Sequence, residues 1–279
     1  MLEAFAAGTG AGRVQRLARR PSGGHLGVLG SFMALLAGAP AEAARFAFCD
    51  QDDIWLPGKL ARARAALEAV PAGQAALYCG RQRLVDAAMR PAGLSPLPSR
   101  EPGFGNALSQ NIATGCTTVL NAAARRAVLA APPPPACSLH DWWCYLVVAG
   151  VGGRVIFDPE PVVLYRQHGD NAVGAAATAV LRAGRALRRG PGAFLERMAA
   201  HLDALAGFDR LTPAARNAIA ILLEMRDAGP LRRLRLLRRA GVYRQGFLED
   251  AMLCLWVALR RLPQPSPLSP QSRGSTAPI

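Results

Sequence analysis

The order of apolar and polar positions predicts alternating strands and helices in the first part of the chain. Short apolar runs bounded by turn residues predict strands, whereas apolar residues spaced by three and four positions predict helices. The predicted strands cover residues 45–49, 75–79, 83–85, 117–120, 154–157 and 162–165, and the predicted helices begin near residues 28, 56, 122 and 140.

The later part of the chain has a different pattern. Residues 91–105 are rich in Pro, Ser and Gly and predict a loop. Residues 176–262 show helical periodicity and arginine-rich faces, and residues 263–279 form a Pro/Ser-rich tail that we expect to be disordered. The pattern predicts an α/β domain over residues 1–175 followed by a helical C-terminal region.

The segment before the first predicted strand has two interpretations. RLARRPSGGHLGVLGSFMALLAGAPAEA contains an arginine pair, an apolar stretch and small residues, as a secretory signal does. The spacing of Val28, Phe32, Leu35 and Leu36 instead predicts an amphipathic helix. We favour the helix, because cleavage near residue 44 would leave the chain starting on its first strand. No apolar run is long enough to predict a spanning helix.

The formal net charge of +14 raises the question of a nucleic-acid partner. Lys59 is the only lysine, and Arg, Ala, Gly and Pro are abundant along the whole chain. This composition is typical of an Arg/Ala-biased proteome, and no motif with interleaved aromatic residues is present. We therefore do not expect nucleic acid as a partner.

The six cysteines include no C-x-x-C pair and mostly lie in apolar surroundings. This pattern favours reduced thiols in a cytoplasmic protein over a disulfide framework. Cys137, His140 and Cys144 have spacing that allows zinc binding, but no fourth ligand lies nearby in the sequence.

The segment FAFCDQDDIWLPGKL places three carboxylates, Asp50, Asp52 and Asp53, directly after a predicted strand. Ligands of open α/β sheets bind at the carboxyl ends of strands. Crowded carboxylates at such a position indicate a hard divalent cation, because Mg²⁺ and Mn²⁺ prefer oxygen ligands. The alternative is a solvated acidic turn that caps the following helix.

DQDDIWLPGKL resembles the metal-binding segment of family 2 glycosyltransferases, in particular their rhamnosyltransferase-like branch. Four further segments are similar to that branch in the correct order, over roughly residues 24–175. GVLGSFMALL resembles its helix before the metal strand, and NIATGCTTVLN its sugar pocket. HDWW resembles its catalytic-base motif, and VVLYRQHGDNAVG resembles the strand and loop that close its site.

The resemblance implies a GT-A fold, a Rossmann-related mixed sheet flanked by helices. It implies inverting transfer of a rhamnose-like sugar from a nucleotide-diphosphate sugar to a cell-surface polysaccharide or a lipid-linked acceptor. It also implies Asp141 as the general base. A surface ion pair for Arg166 and an ordinary loop position for His168 remain alternatives to a role near the diphosphate. The implied ligands of Mg²⁺ or Mn²⁺ are Asp50, Asp52 and His168, and the implied donor-binding residues are Asp50, Gln51, Asp53, Trp55, Lys59, Gly115 and Arg166.

The chain departs from the family at its beginning. Members open with a strand and a polar turn that hold the base and ribose, whereas the first 20 residues here show no strand-like run. We expect the first βαβ unit to be missing or shortened. The alternative function is therefore a non-catalytic, truncated remnant that binds a partner or a membrane. A metal-dependent phosphotransferase is a third hypothesis, but the chain lacks a phosphate-binding glycine loop.

The segment FLEDAMLCLWVALRRL, preceded by RLRLLRR, is apolar on one face with basic residues around it. It is too short to span a bilayer. A buried packing helix and a helix in peripheral contact with a membrane are the two interpretations. We expect the protein in the cytoplasm or at the inner face of the membrane.

Overall fold

The computed structural model describes residues 14–15, 25–167 and 190–264. Within these ranges one mixed sheet is flanked by helices, which confirms the predicted α/β class. The strands are β1 (Arg45–Ala47), β2 (Ile54–Trp55), β3 (Ala76–Val85), β4 (Pro91–Leu94), β5 (Val119–Asn121) and β6 (Arg154–Arg166). The helices are α1 (Gly27–Gly38), α2 (Lys59–Glu68), α3 (Phe104–Ala107), α4 (Ala122–Ala130), α5 (His140–Gly150), α6 (Pro191–Leu205), α7 (Pro213–Leu223), α8 (Pro230–Arg239) and α9 (Phe247–Leu259).

The strand directions bring several strand ends to one edge of the sheet. The strand order is β1-β5-β3-β6-β2, and β4 pairs with β3. The pair β3–β6 is parallel, and the other pairs are antiparallel. Because β1 and β3 both run antiparallel to β5, the strands β1, β3 and β6 end at the same side, which we call the carboxyl edge.

Helix α5 connects the two edges of the sheet. A short turn, residues 151–153, joins the end of α5 to the start of β6 at the opposite edge of the sheet. The first residues of α5 therefore lie at the carboxyl edge. Its sequence HDWWCYLVVAG is apolar almost all round, which is typical of a fully enclosed helix. All of its residues except Ala149 are buried.

Asn121 holds the start of α4 against the sheet. Its side-chain oxygen accepts hydrogen bonds from the backbone N–H groups of Ala124, at 2.8 Å, and Ala76, at 3.0 Å. Its amide nitrogen donates to the carbonyl of Gln74 at 2.8 Å. One residue therefore serves as the N-cap of α4 and ties that helix to the start of β3.

The C-terminal helices share the main core with the sheet. Leu77 and Leu120 of the sheet, Leu146 of α5 and Leu202 and Leu222 of the C-terminal helices belong to one contiguous buried cluster. A smaller cluster lies between α2 and the other face of the sheet. The C-terminal helical region predicted from the sequence is thus confirmed where it is described, and it packs on the α/β part.

Three strand and loop predictions were wrong in detail. Residues 75–79 and 83–85 belong to one strand, β3, because register shifts near Gly80 absorb the break in its apolar pattern. Residues 154–157 and 162–165 likewise belong to β6, which pairs with β3 along its length. The predicted loop 91–105 contains β4 and the start of α3, and backbone pairing with β3 orders β4 despite its low intrinsic preference for a strand. The predicted domain boundary at residue 175 and the tail beyond residue 264 lie outside the described residues.

Among the helices in the described part of the chain, none is both long enough and apolar enough to cross a bilayer.

Candidate functional site

Residues 48–53, which we call the acidic loop, start where β1 ends, at the carboxyl edge of the sheet. The backbone N–H of Arg166, the last residue of β6, donates a hydrogen bond of 3.1 Å to Oδ1 of Asp53. This hydrogen bond connects the acidic loop to the end of β6. Ligand atoms of Asp50, Asp53 and Cys116 all lie within 4.8 Å of one another. The sequence prediction that carboxylates would converge here is thus matched by Asp50 and Asp53.

Burial and mutual repulsion both disfavour the charged forms of these carboxylates. The pKa of Asp50 is raised to about 6, and burial is the largest cause of this rise. The neighbouring charges of Asp53, Asp52 and Asp141 raise the pKa further. Burial also raises the pKa of Asp53. Within the described part of the chain, Oδ2 of Asp53 is buried without a hydrogen-bond partner. An ionised oxygen in that position costs free energy unless a cation lies close to it.

Lys59 lies beneath the acidic loop and provides a fixed positive charge. Only 2% of its surface is exposed. Its Nζ donates a hydrogen bond of 2.5 Å to the carbonyl of Cys116 and lies 3.5 Å from the centre of the Trp55 ring. Burial lowers the pKa of Lys59 to about 8, while Asp53 and Asp50 oppose that shift. The lysine is therefore mostly charged at neutral pH and offsets part of the repulsion in the loop.

Cys116 is a protonated thiol in this environment. Burial and the charge of Asp53 both raise its pKa well above the ordinary value. Its Sγ lies within 4.8 Å of a carboxylate oxygen of Asp53. The donor set at the cluster is therefore two carboxylates and a neutral sulfur, which suits a hard cation through the oxygens alone.

Asp141 occupies the first turn of α5, with its side chain 7% exposed. Its Oδ2 accepts a hydrogen bond of 2.8 Å from the backbone N–H of Gly115, and its Oδ1 accepts one of 2.6 Å from the N–H of Trp142. Burial raises the pKa of Asp141 to about 6, although these hydrogen bonds and one from the Asn111 side chain act in the opposite direction. Its charge in turn raises the pKa of Asp50, so the two carboxylates act in one electrostatic environment.

His140 is enclosed by aromatic side chains. It stacks on Phe32 with ring centres 4.0 Å apart and contacts Phe48 edge-on at 4.9 Å. Burial lowers its pKa to about 4, so the ring is neutral at physiological pH. Among the described residues, His140 does not form a cluster of metal-ligand atoms with Cys137 and Cys144, and the zinc arrangement allowed by their spacing is not present.

The other residues predicted for the site differ in how exposed they are and in whether they contribute to the carboxylate cluster. Gln51 is exposed, and Trp55 lies partly buried under Lys59. Asp52 is adjacent to the cluster and affects the pKa of Asp50 and Asp53, but its oxygens are not among the grouped ligand atoms. His168 lies outside the described residues.

Sequence reasoning missed the contributions of Cys116, Asn111, Phe32 and Phe48. Cys116 and Asn111 lie in the segment NIATGCTTVLN, which had been assigned only as a pocket wall. Their proximity to Asp53 and Asp141 depends on strand order, which a linear pattern does not encode.

A surface depression of about 310 Å³ lies at the opposite edge of the sheet. It is lined by residues that include Gln74, Arg126, Gly152 and Arg210, and no carboxylate or histidine is among them. The groups suited to acid–base chemistry or cation binding therefore lie at the carboxyl edge and not in this depression.

Comparisons with protein-family models, curated proteins and solved structures found no match. A function is therefore inferred from the sequence motifs and from the geometry at the carboxyl edge.

Proposed function

We propose that the chain is an inverting, metal-dependent glycosyltransferase of the family 2 type with a GT-A arrangement. It would move a rhamnose-like sugar from a nucleotide-diphosphate sugar to a glycan or lipid-linked acceptor. The observation that supports this most is that Asp50 and Asp53 offer oxygens within 4.8 Å of each other and that the charge of Asp141, about 90 residues further along the chain, raises the pKa of Asp50.

The acidic loop fits a divalent cation. Asp50 and Asp53 offer oxygens close together, and Oδ2 of Asp53 is buried without a hydrogen-bond partner in the described structure. These two residues would hold Mg²⁺ or Mn²⁺, with Asp52 next to them. When bound, the cation supplies positive charge that stabilises the leaving diphosphate.

Asp141 has the properties of a general base for the acceptor hydroxyl. A base with a pKa near the working pH removes a proton more effectively than an ordinary aspartate does. The N–H groups of Gly115 and Trp142 and the side chain of Asn111 fix the orientation of the carboxylate, and one of its four lone pairs remains for the acceptor proton. Asp141 would hold the proton taken from the acceptor oxygen while that oxygen attacks the sugar from the face opposite the diphosphate.

Lys59 and Arg166 have supporting roles in this proposal. Lys59 is buried and already binds the Cys116 carbonyl and the Trp55 ring, so it stabilises the acidic loop from below. Arg166 fixes Asp53 through its backbone N–H, and its guanidinium is the candidate partner for the diphosphate.

The test is release of nucleoside diphosphate by the purified chain. Thymidine- and uridine-diphosphate sugars would be incubated with Mn²⁺ and a lipid-linked acceptor extract, and the nucleotide product would be quantified by chromatography. Because the unit that holds the base and ribose is expected to be missing or shortened, the donors would be supplied at high concentration. We then expect turnover with at least one donor and a loss of about 10²–10⁴-fold in the Asp141→Asn variant. Turnover that Asp141→Asn leaves unchanged, or absence of turnover with every donor, would contradict the proposal.

A further inference from the structure

The outer face of α9 is apolar although it lies on the surface. Within this helix the exposed positions are Phe247, Leu248, Ala251, Leu255 and Leu259, and none of them is charged. Phe247 is 82% exposed and Leu259 is 70% exposed. A surface helix of a globular protein ordinarily presents polar residues to water. The composition of this face therefore indicates that something covers it.

The exposed side chains form a continuous stripe. Phe247, Ala251, Leu255 and Leu259 recur every four residues, which places them on one side of the helix. From Phe247 to Leu259 the stripe is about 18 Å long, at about 1.5 Å per residue. The inward side of α9 packs against the rest of the protein, because its residues Met252, Leu253, Trp256 and Val257 are buried. The outward stripe is thus additional to the helix's contribution to the core.

Basic residues are concentrated in the segment that contains this stripe. Residues 228–264 contain eight arginines and only two acidic residues, Glu249 and Asp250. Glu249 is 4% exposed, and Asp250 forms an ion pair with Arg100 at 2.7 Å. The two carboxylates therefore contribute little negative charge to this surface. The exposed arginines of the two packed helices and the residues after them are Arg232, Arg235, Arg238 and Arg239 on α8 and Arg260 and Arg261 after α9.

Helix α8 packs against α9 and brings its own charge to the end of the stripe. Nη2 of Arg233 donates a hydrogen bond of 2.8 Å to the carbonyl of Ala258, near the end of α9. Its Nε and Nη1 are buried with no hydrogen-bond partner in the described residues. Burial and then the charge of Arg261 lower the pKa of Arg233, so positive charges crowd together here. An anion at this end of α9 would relieve that repulsion.

We propose that the stripe on α9 and the arginines around it form a docking surface for an anionic lipid bilayer. Large apolar side chains on one side of a helix, flanked by arginines, match the interior and the phosphate level of a membrane interface. A second copy of the chain fits poorly, because a symmetric contact would bring the same arginines face to face. The proposal does not depend on the transferase assignment, because it concerns a surface and not the carboxyl edge.

Vesicle flotation with the full chain tests this surface. Vesicles of phosphatidylcholine would be compared with vesicles that also contain phosphatidylglycerol, at low and high salt. We expect binding to the anionic vesicles, weakened by high salt, and much weaker binding to phosphatidylcholine alone. Leu255→Ser combined with Leu259→Ser should reduce the partition constant by about 100-fold, since each buried leucine contributes roughly tenfold.

A matched control uses exposed leucines elsewhere on the molecule. Leu35 on α1 is 51% exposed and Leu129 on α4 is 38% exposed, so Leu35→Ser combined with Leu129→Ser makes the same chemical change on other helices. This control should bind vesicles as the unmodified chain does, and circular dichroism should show that both double variants are folded. Arg260→Gln with Arg261→Gln should reduce the preference for anionic vesicles by roughly fivefold per charge.

Three results would overturn the proposal. The unmodified chain could fail to float with phosphatidylglycerol vesicles. The α9 double variant could bind as tightly as the control. Light scattering could instead show a dimer that Leu255→Ser with Leu259→Ser dissociates, which would assign the stripe to self-association.

Discussion

The backbone N–H of Gly115 donates a hydrogen bond of 2.8 Å to Oδ2 of Asp141, which joins the turn before β5 to the first turn of α5. The two elements are in close contact there. A Cβ built on Gly115 would lie 2.6 Å from Nε2 of His140, a residue that Phe32 and Phe48 hold in place. Glycine is therefore required at this position by the approach of α5, and the approach fixes the orientation of the proposed base.

Gly115→Ala should lower the free energy of unfolding by about 1–3 kcal/mol, because the added methyl group has no space and must displace the His140 ring. Urea denaturation would measure the change. The matched control is Gly192→Ala near the start of α6, where a Cβ meets nothing within 4 Å. That substitution should be neutral or should stabilise by about 0.5–1 kcal/mol. Equal effects of the two substitutions would show that the approach at Gly115 tolerates a methyl group.

Asp141→Asn should change how stability depends on pH. The pKa of Asp141 is raised from 3.8 to about 6 in the folded chain, so between these values the folded state binds more protons than the unfolded state. Stability contributed by this residue is thus present at low pH and is lost as pH rises toward 6. Asparagine does not titrate, so the free energy of unfolding of the variant, relative to that of the unmodified chain, should rise by up to about 3 kcal/mol between pH 4 and pH 7.

The difference between the two proteins is the informative quantity. His140 and His201 have their pKa lowered by burial, to about 4 and about 3, so both residues make the folded chain less stable as pH falls below their unfolded value. Their effect is common to both proteins and cancels in the difference. Asparagine has one oxygen where the carboxylate accepts from Gly115, Trp142 and Asn111, and the hydrogen bonds lost shift the difference equally at every pH. A difference that stays constant from pH 4 to pH 7 would contradict the raised pKa of Asp141.

The sequence predicted the components of the site better than their arrangement. The position of Asp50 and Asp53 after β1 follows from a short apolar strand before an acidic run, and the position of Asp141 follows from a helix start. The role of Cys116 depends on the order β1-β5-β3, which brings the turn before β5 beside the loop after β1. Pairing between distant strands is not expressed in the local pattern of either segment.

The errors in the strand predictions have a similar cause. Gly80 interrupts the apolar run of β3, yet the strand continues because Val162 of β6 packs where a side chain would lie. Residues Pro91–Leu94 all lie on the surface and include few strand-forming residues, and only their pairing with β3 makes them a strand. In both places a tertiary contact overrides the local preference.

Lys59→Met should destabilise the chain more at pH 7.5 than at pH 5. The substitution removes the hydrogen bond to the Cys116 carbonyl and the positive charge beneath the acidic loop. At pH 5 Asp50, whose pKa is about 6, is mostly protonated and needs that charge less. Burial disfavours the charged lysine at both pH values and opposes this effect. We therefore expect the variant, relative to the unmodified chain, to be about 1–3 kcal/mol less stable at pH 7.5 than at pH 5, measured by urea denaturation. The matched control is Arg64→Met on the same helix, whose ion pair with Glu68 is exposed to solvent and contributes little to stability. Equal losses for Lys59→Met at both pH values would show that its charge does not stabilise the loop.

Asp53→Asn should weaken Mn²⁺ binding at least about tenfold, because it removes a negative charge from the proposed ligand pair. The fold should persist, since the asparagine carbonyl can still accept the hydrogen bond from the N–H of Arg166. Calorimetry would measure the affinity, with Asp209→Asn as a control that removes an exposed charge far along the chain.

The pH dependence of Mn²⁺ binding gives an independent check of the same ligand pair. Ligand carboxylates must lose their protons before they bind a cation. The pKa of Asp50 is about 6 and that of Asp53 is raised, so Mn²⁺ competes with protons in the range just below neutrality. Affinity should fall by about tenfold or more from pH 7.5 to pH 5, and binding at pH 6 should release protons to the buffer. Proton release is measured by repeating the titration in buffers of different ionisation enthalpy. An affinity that neither pH nor Asp53→Asn alters would place any Mn²⁺ site away from Asp50 and Asp53.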